Sequence, residues 1–482
     1  MRTLKTLTMV VVLPMVMVGT ALGNTSEAVP DYRDLQYPEL PEIDVPQVER
    51  VTLPNGMKLL VLEDHELPLI RLSARIRTGS VYEPADKVGL ADITGEVMRT
   101  GGTKTMPGDQ IDEALEAMAA SVETGIGTTY GWASLSVLKE DVDETLAILA
   151  DILMHPAFPP DKIMLSKIQH RSAIARRNDS PGQIASREYN KLIYGPESPY
   201  AQYPEYATID AIAREDLVAF HEKYFGPDNM IVAVWGDFET DDMVERIEKA
   251  FDGWEPVELA LPPWPDVDYE FRKSINLVTR PDLNQSTIFL GHVGGVRNDP
   301  DYFTIVVMNQ ILGGGFTGRL FRNVRSRQGL AYSVFGSYGT DYSHRDTFHV
   351  GCQTKSGSTV RAIRAMIEEI GKLRQEEVTD EELQLAKESF LNSFVFNFDS
   401  EGEIVTRLLT YEYYGYPADF LQKTRENVEN VTKAEILRVA QERLHPDKVQ
   451  VLVVGNPDQF DRSLSELGEV NRVDITIPPP QQ

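Results

Sequence analysis

Arg325 and Tyr332 are the two side chains in this sequence best suited to chemistry. They stand seven residues apart in the stretch 313–332, GGGFTGRLFRNVRSRQGLAY. Both are hydrogen-bond donors of the kind that stabilise a carbonyl oxygen gaining negative charge. A turn between them would bring both to one point. The preceding Gly313, Gly314 and Gly315 let a backbone lie close to something and offer it free N–H groups. Taken alone, the stretch has a plainer reading: a glycine run is usually a loop, here a turn between packed helices as readily as a substrate contact, and an Arg and a Tyr at this spacing are usually structural.

The elements that must hold the pair are legible around it. Leu320, Phe321 and Val324 fall on one side of a short amphipathic helix, with Arg319, Arg322 and Arg325 towards the other. Gly329 suits the left-handed position after a helix, and Tyr332 opens the strand-like YSVFGSY. Further out, Asn55-Gly56 between apolar runs signals a hairpin. Leu69–Ile76 and Trp132–Leu138 alternate like half-buried strands, and Met230–Trp235 reads as a buried strand. Helical patterning covers Gly89–Arg99, Asp109–Ala119, Glu140–Met154, Asp161–Arg177 and Asp216–Tyr224.

The chain then repeats itself. PDNMIVAVWGD at 227–237 is echoed by PDKVQVLVVGN at 446–456, a lag of 219 that also pairs Ile209 with Val428 and Leu217 with Ile436. A fixed lag across helix and strand marks two homologous domains. They are placed at 50–254 and 271–470, joined by a proline-rich linker at 255–270 and followed by a tail at 471–482. Strands and long helices mix without strict alternation, so the expected class is α+β with largely antiparallel sheets.

Composition narrows the function. The chain of 482 residues carries a net charge of −27, so there is no basic excess to neutralise phosphates and no nucleic-acid partner is expected. Residues 1–23 read as a secretory signal: Arg2 and Lys5, the apolar run Leu7–Val18, and a cleavage site at Ala21-Leu22-Gly23. The apolar run is short for a membrane span, so no membrane association is expected after cleavage. Residues 24–49 form a proline-rich arm. Cys352 is the single cysteine, which leaves no internal disulfide. The expected address is a periplasm or another exported location.

The repeat, the glycine-rich loop and the Arg–Tyr spacing together resemble the pitrilysin family, the inverted-motif zinc peptidases that include insulin-degrading enzyme and the mitochondrial processing peptidases. The resemblance runs from about Val51 to Val454. It implies half of a clamshell that closes over a peptide. One half of such an enzyme carries His-x-x-Glu-His on a helix, with a Glu about 77 residues further on as third zinc ligand. The other half supplies an Arg–Tyr pair, here matched by Phe321-Arg-Asn-Val-Arg325-Ser-Arg-Gln-Gly329-Leu-Ala-Tyr332.

The zinc motif is degenerate. The two His positions hold Asp92 and Glu96, the general-base position holds Gly95, and the third-ligand position holds Ala173. Two carboxylates without a third ligand make a poor zinc site, and the pair reads as ordinary helix-surface acids. None of the eight histidines forms an i, i+4 pair around a Glu, and no Ser-His-Asp or Cys-His set is visible by spacing. No cofactor is therefore expected on this chain.

The resemblance implies a non-zinc subunit that completes a partner's active site. The partner would be a chain of similar size bearing His-x-x-Glu-His and the zinc, and the substrates unfolded peptides. Arg325 and Tyr332 would contact the scissile carbonyl in trans, and Gly313, Gly314, Gly315 and Phe316 would approach the substrate. Residues Ser121–Gly127 stand where the family has the edge strand that pairs with peptide, and Glu123 there reads as solvated surface. The competing expectation is a catalytically inactive peptide-binding or structural homologue. A homodimeric hydrolase would need an unrecognised site that nothing in the sequence supports.

Overall fold

The computed structural model describes residues 46–480, apart from 399 and 418. The predicted signal and most of the arm lie outside the described residues. The first sheet contains β1 (Glu49–Thr52), β2 (Lys58–Glu63), β3 (Leu69–Ile76), β4 (Ser121–Ile126), β5 (Gly131–Leu138) and β6 (Met230–Gly236), in the order β1-β2-β6-β3-β5-β4. Every residue of β6 is buried, as its unbroken apolar run predicts for a central strand. The Asn55-Gly56 hairpin is present, with Gly56 at φ 90° and β1 antiparallel to β2. Only β2 and β6 run parallel in this sheet. β4 is one of its two edge strands, and its Glu123 is exposed on the surface.

The second sheet contains β7 (Ser274–Thr279), β8 (Gln285–Val293), β10 (Ser333–Tyr338), β12 (Thr347–Lys355), β13 (Gln450–Gly455) and β14 (Val470–Arg472). A small parallel pair, β9 (Gly295–Val296) and β11 (Thr340–Asp341), lies beside it. In the order β14-β7-β13-β8-β12-β10 the five strands from β7 to β10 reproduce β2 to β4 of the first sheet, with β13 again parallel to β7, while the outer β14 is parallel to its neighbour where β1 is antiparallel. The chain is thus two tandem α+β repeats with largely antiparallel sheets. The stretch beyond 470, read as a tail, opens as a strand parallel to β7. Val473 and Ile475 there pack on the second core, because apolar residues at alternate positions continue one face of the strand.

Fourteen helices are described. They are α1 (Leu90–Thr100), α2 (Gly108–Ala117), α3 (Val142–Met154), α4 (Pro160–Arg176), α5 (Pro181–Tyr194), α6 (Tyr206–Ala211), α7 (Arg214–Tyr224), α8 (Thr240–Ala250), α9 (Tyr302–Gly313), α10 (Thr359–Leu373), α11 (Asp380–Val395), α12 (Glu401–Tyr414), α13 (Phe420–Asn430) and α14 (Lys433–Arg443). One face of the first sheet packs on α1, α3, α7 and α8 through residues such as Ile93, Leu149, Leu217 and Ile247. Its other face is covered by the second repeat: Leu60, Leu62, Ile231 and Trp235 meet Ile404, Val405, Leu408 and Leu409 of α12.

The exchange is reciprocal. Ile184, Ala185, Tyr189 and Ile193 of α5, from the first repeat, cover Val278, Val293, Leu452 and Val454 of the second sheet. The Tyr189 hydroxyl donates to the Phe348 carbonyl at 2.7 Å, and the Tyr413 hydroxyl of α12 donates to the Thr129 carbonyl at 2.8 Å. The two helices are equivalent in sequence. Ser180, Gly182, Ile184, Arg187 and Gly195 recur as Ser400, Gly402, Ile404, Arg407 and Gly415, at a lag of 220. Each begins behind a serine that accepts a backbone N–H at its N-cap.

The exchange couples the two repeats. Leu409→Ala, at a fully buried position of α12, should cost about 3 kcal/mol while calorimetry retains one unfolding transition. Two separated transitions would show that the repeats unfold independently.

Candidate functional site

Helix α9 ends in Gly313–Gly315. A Cβ on Gly313 would lie 2.1 Å from the Gly336 carbonyl oxygen, so only glycine lets α9 reach the backbone of β10. Gly315 has φ 65° and Gly329 φ 62°, left-handed conformations that fit glycine. Between them, Phe321–Arg327 is wound as a π-helix, a geometry that recurs at functional sites.

Burial divides the three arginines differently from the amphipathic reading. Arg319 is buried and grips Glu382 of α11 through two hydrogen bonds, at 2.9 and 2.7 Å. Arg322 reaches the same carboxylate at 2.9 Å. Burial pushes the Glu382 carboxyl up. The bond from Arg319, the Thr379 N–H and the two positive charges outweigh it and hold the group at about 2. Glu382 also closes a capping box with Thr379 at the start of α11.

Arg325 is left over, with no carboxylate partner among the described residues. Its guanidinium carbon sits 4.4 Å from the centre of the Phe321 ring and 5.7 Å from that of Tyr332. The structure therefore brings Arg325 and Tyr332 together. Tyr332 is 81% exposed and Phe316 77% exposed. Phe316 meets Phe321 edge to face with centroids 4.8 Å apart. The result is a two-donor surface, Tyr332 exposed and Arg325 half-buried, on a base locked by Glu382.

The other candidate positions lie on α1 and α4. Gly95 faces β4: a Cβ there would lie 2.5 Å from the Ile126 nitrogen. The Thr124 hydroxyl donates to the Gly95 carbonyl at 2.7 Å. Gly95 against β4 thus mirrors Gly313 against β10. The Glu83 carboxylate accepts from the N–H groups of Gly89 and Ala91 at the start of α1, and burial pushes its carboxyl up to about 7.

Glu96 accepts a hydrogen bond from the Ser166 hydroxyl of α4. Asp92 lies 3.7 Å from the His170 imidazole, also on α4. Desolvation and the nearby Glu96 raise the Asp92 carboxyl, and His170 opposes them. Ala173 contributes no ligand. These residues do not fit zinc, because no three metal-ligating side chains converge among the described residues. Sequence reasoning passed over His170, which precedes Ala173 by one helical turn. It also missed Glu382, although Thr379-x-x-Glu382 has capping-box spacing.

Two family models account for most of this architecture. Residues 60–194 match the insulinase model, peptidase family M16, and residues 211–390 match the peptidase M16 inactive domain. The chain belongs to peptidase family M16. An M16-type relative in Bacillus subtilis, the uncharacterized zinc protease YmxG, is 25% identical over 75% of this chain and 87% of its own length. A non-peptidase homolog, YmxG of Helicobacter pylori, is 24% identical over 79% of this chain and 88% of its own. The crystal structure of the peptidase M16 inactive domain from Pseudomonas fluorescens shares 25% identity at a TM-score of 0.78, covering 85% of this chain and 98% of that one. The present chain is an M16 homologue whose residues 60–194 contain no His-x-x-Glu-His.

Two outcomes test the site's construction. Glu382→Gln should destabilise the fold by about 3 kcal/mol, the order expected on breaking a buried pair. The folded pKa of Glu382 lies below the ordinary 4.5. Its contribution is therefore complete above that pH and fades as pH falls towards about 2. Urea titrations of the native chain should show that loss, and Glu382→Gln should flatten it. Gly95→Glu should cost about 1–3 kcal/mol through overpacking against β4, read as a lowered melting temperature.

Proposed function

We propose that this chain is the non-zinc subunit of a heterodimeric zinc metalloendopeptidase. It pairs with an M16 chain of similar size that bears His-x-x-Glu-His, and the two close around an unfolded peptide. The observation that carries the reading is the Arg325–Tyr332 pair, Tyr332 exposed and Arg325 half-buried beside it with no carboxylate partner among the described residues, in a chain whose Glu96 and Asp92 face Ser166 and His170.

The partner's zinc would supply the activated water. This chain's part is electrostatic. The Tyr332 hydroxyl and the Arg325 guanidinium donate hydrogen bonds to the scissile carbonyl oxygen, and those bonds strengthen as it becomes an oxyanion. Phe321 holds the guanidinium by its ring face, and Glu382 fixes the segment beneath. Gly313, Gly314, Gly315 and Phe316 approach the peptide beside the pair. On this reading the chain is inactive alone and exported, with its leader removed after Gly23.

A second reading has support from the match to the M16 inactive domain and from the name of the Helicobacter pylori relative. In it, the chain holds peptide and contributes nothing to hydrolysis.

The deciding experiment is reconstitution with the zinc-bearing partner. Tyr332→Phe and Arg325→Ala should each lower kcat by about 10²–10³, with native mass spectrometry showing the heterodimer intact. Unchanged turnover in both variants would favour the second reading. N-terminal sequencing of the exported protein should begin at Asn24.

A further inference from the structure

One face of β3 carries arginines that the fold does not use. Arg71, Ser73 and Arg75, followed by Arg77 just past the strand, stand at alternate positions and so on one side. Ile70, Leu72, Ala74 and Ile76 turn the other way, into the first core. Arg71 and Arg77 are exposed and Arg75 is half-buried. None of the three has a carboxylate partner among the described residues, in a chain whose 74 acidic side chains outnumber its 47 Lys and Arg. Arg75 is held instead by Tyr130, its guanidinium carbon 4.3 Å from the centre of the ring.

The second repeat shows what the architecture itself requires at these places. In the first sheet Arg71 lies opposite Trp235 and Arg75 opposite Ile231. At the lag of 219, Trp235 and Ile231 become Val454 and Gln450, and the residues opposite those are Thr287 and Gly291. Two residues on, the place of Arg77 holds Val293, buried under α5. The second sheet puts no cation at any of the three, so the strand has no structural need of them.

Room for a ligand lies along the row. Arg77 lines a cavity of about 200 Å³ with Tyr82, Trp264 and Tyr413 and no carboxylate. Arg71 lines another of about 580 Å³ with Arg407 and Glu403 of α12, two arginines to one acid. Towards the sheet edge, Ser73, Ser134 and Ser136 are half-buried on the same face. Glu123, on the edge strand itself, is the one acid that β3, β4 and β5 place there. Screening confines each charge to about 8 Å at physiological salt, so a ligand on this face meets the arginines before the net charge of the chain. Residues two and four apart on a strand are separated by about 7 and 13 Å, the spacing of side chains along one side of an extended peptide. Serine hydroxyls can serve its backbone as donors and acceptors.

We propose that this open face of β3 is a binding surface for acidic segments of extended peptides, with Arg71, Arg75 and Arg77 receiving the carboxylates. The inference rests on the proposed function in that the chain handles unfolded peptide, and it gives that peptide a chemical class. It needs neither the partner nor the Arg325–Tyr332 pair.

The test uses the full chain alone and dodecapeptides of Gly, Ser and Ala bearing an uncharged dye, with Glu, Gln or Lys at the fourth, eighth and tenth positions. The Glu peptide should bind about 10-fold more tightly than the Gln peptide, the sum of three partly exposed charge pairs, and the Lys peptide more weakly than either. The margin should shrink as salt rises. The combined variant Arg71→Gln, Arg75→Gln, Arg77→Gln should abolish the preference. Arg361→Gln, Arg364→Gln, Arg462→Gln, at three exposed arginines of the second repeat, should keep it. A photoreactive residue beside the central Glu should cross-link to 71–77, 132–136 or 403–413 of the native chain, a readout independent of how the variants fold. Equal binding of the Glu and Gln peptides, a preference that survives the β3 variant, or cross-links confined elsewhere would overturn the proposal. Tighter binding of a thymidine oligonucleotide of equal charge would assign the face to phosphates and overturn it too. A heterodimer whose turnover ignores Tyr332→Phe would remove the oxyanion role and leave this preference, read on the chain alone, in place. Loss of the preference with a persisting Tyr332→Phe defect would do the reverse.

Discussion

A six-stranded sheet that is apolar on both faces needs two layers of cover, and each repeat of this chain supplies its own sheet with one. The missing layer is a single helix taken from the other repeat: α12 on the first sheet, α5 on the second. The hydrophobic effect therefore acts across the whole chain and not within each repeat. The proline-rich connection at 255–270 is a boundary in sequence but not in packing. This constraint fixes how the two repeats face each other, and so where α1 and the Arg–Tyr segment stand within one body.

The fold was largely readable from the sequence because its strongest signals are local. Alternation in Leu69–Ile76 and Trp132–Leu138 and the apolar run at Met230–Trp235 each mark a strand whose faces are decided by its own residues. The repeat was visible for the same reason. What stayed hidden was the exchange of α5 and α12, since periodicity tells which face of a helix is apolar and not which sheet it meets. The Ser-x-Gly-x-Ile-x-x-Arg pattern shared by 180–187 and 400–407 was available and would have paired the two helices.

The candidate site was legible in its exposed parts and not in its supports. Arg325 and Tyr332 announce themselves by type and spacing. That Arg319 faces inward is a consequence of Glu382, sixty-three residues away in sequence, and no local pattern places that carboxylate there. Likewise Asp92 and Glu96 look like surface acids until α4 brings His170 and Ser166 against them. Long-range partners decide which of several similar charges is spent on the fold and which remains for chemistry.

The contact between Gly95 and β4 makes the spacing of helix and strand, and not a single side chain, the thing that keeps any larger residue out of this position. A Cβ added there meets the backbone of Gly125 and Ile126, which cannot swing aside as a side chain would. Changing this one residue would therefore move a sheet edge before it added a functional group.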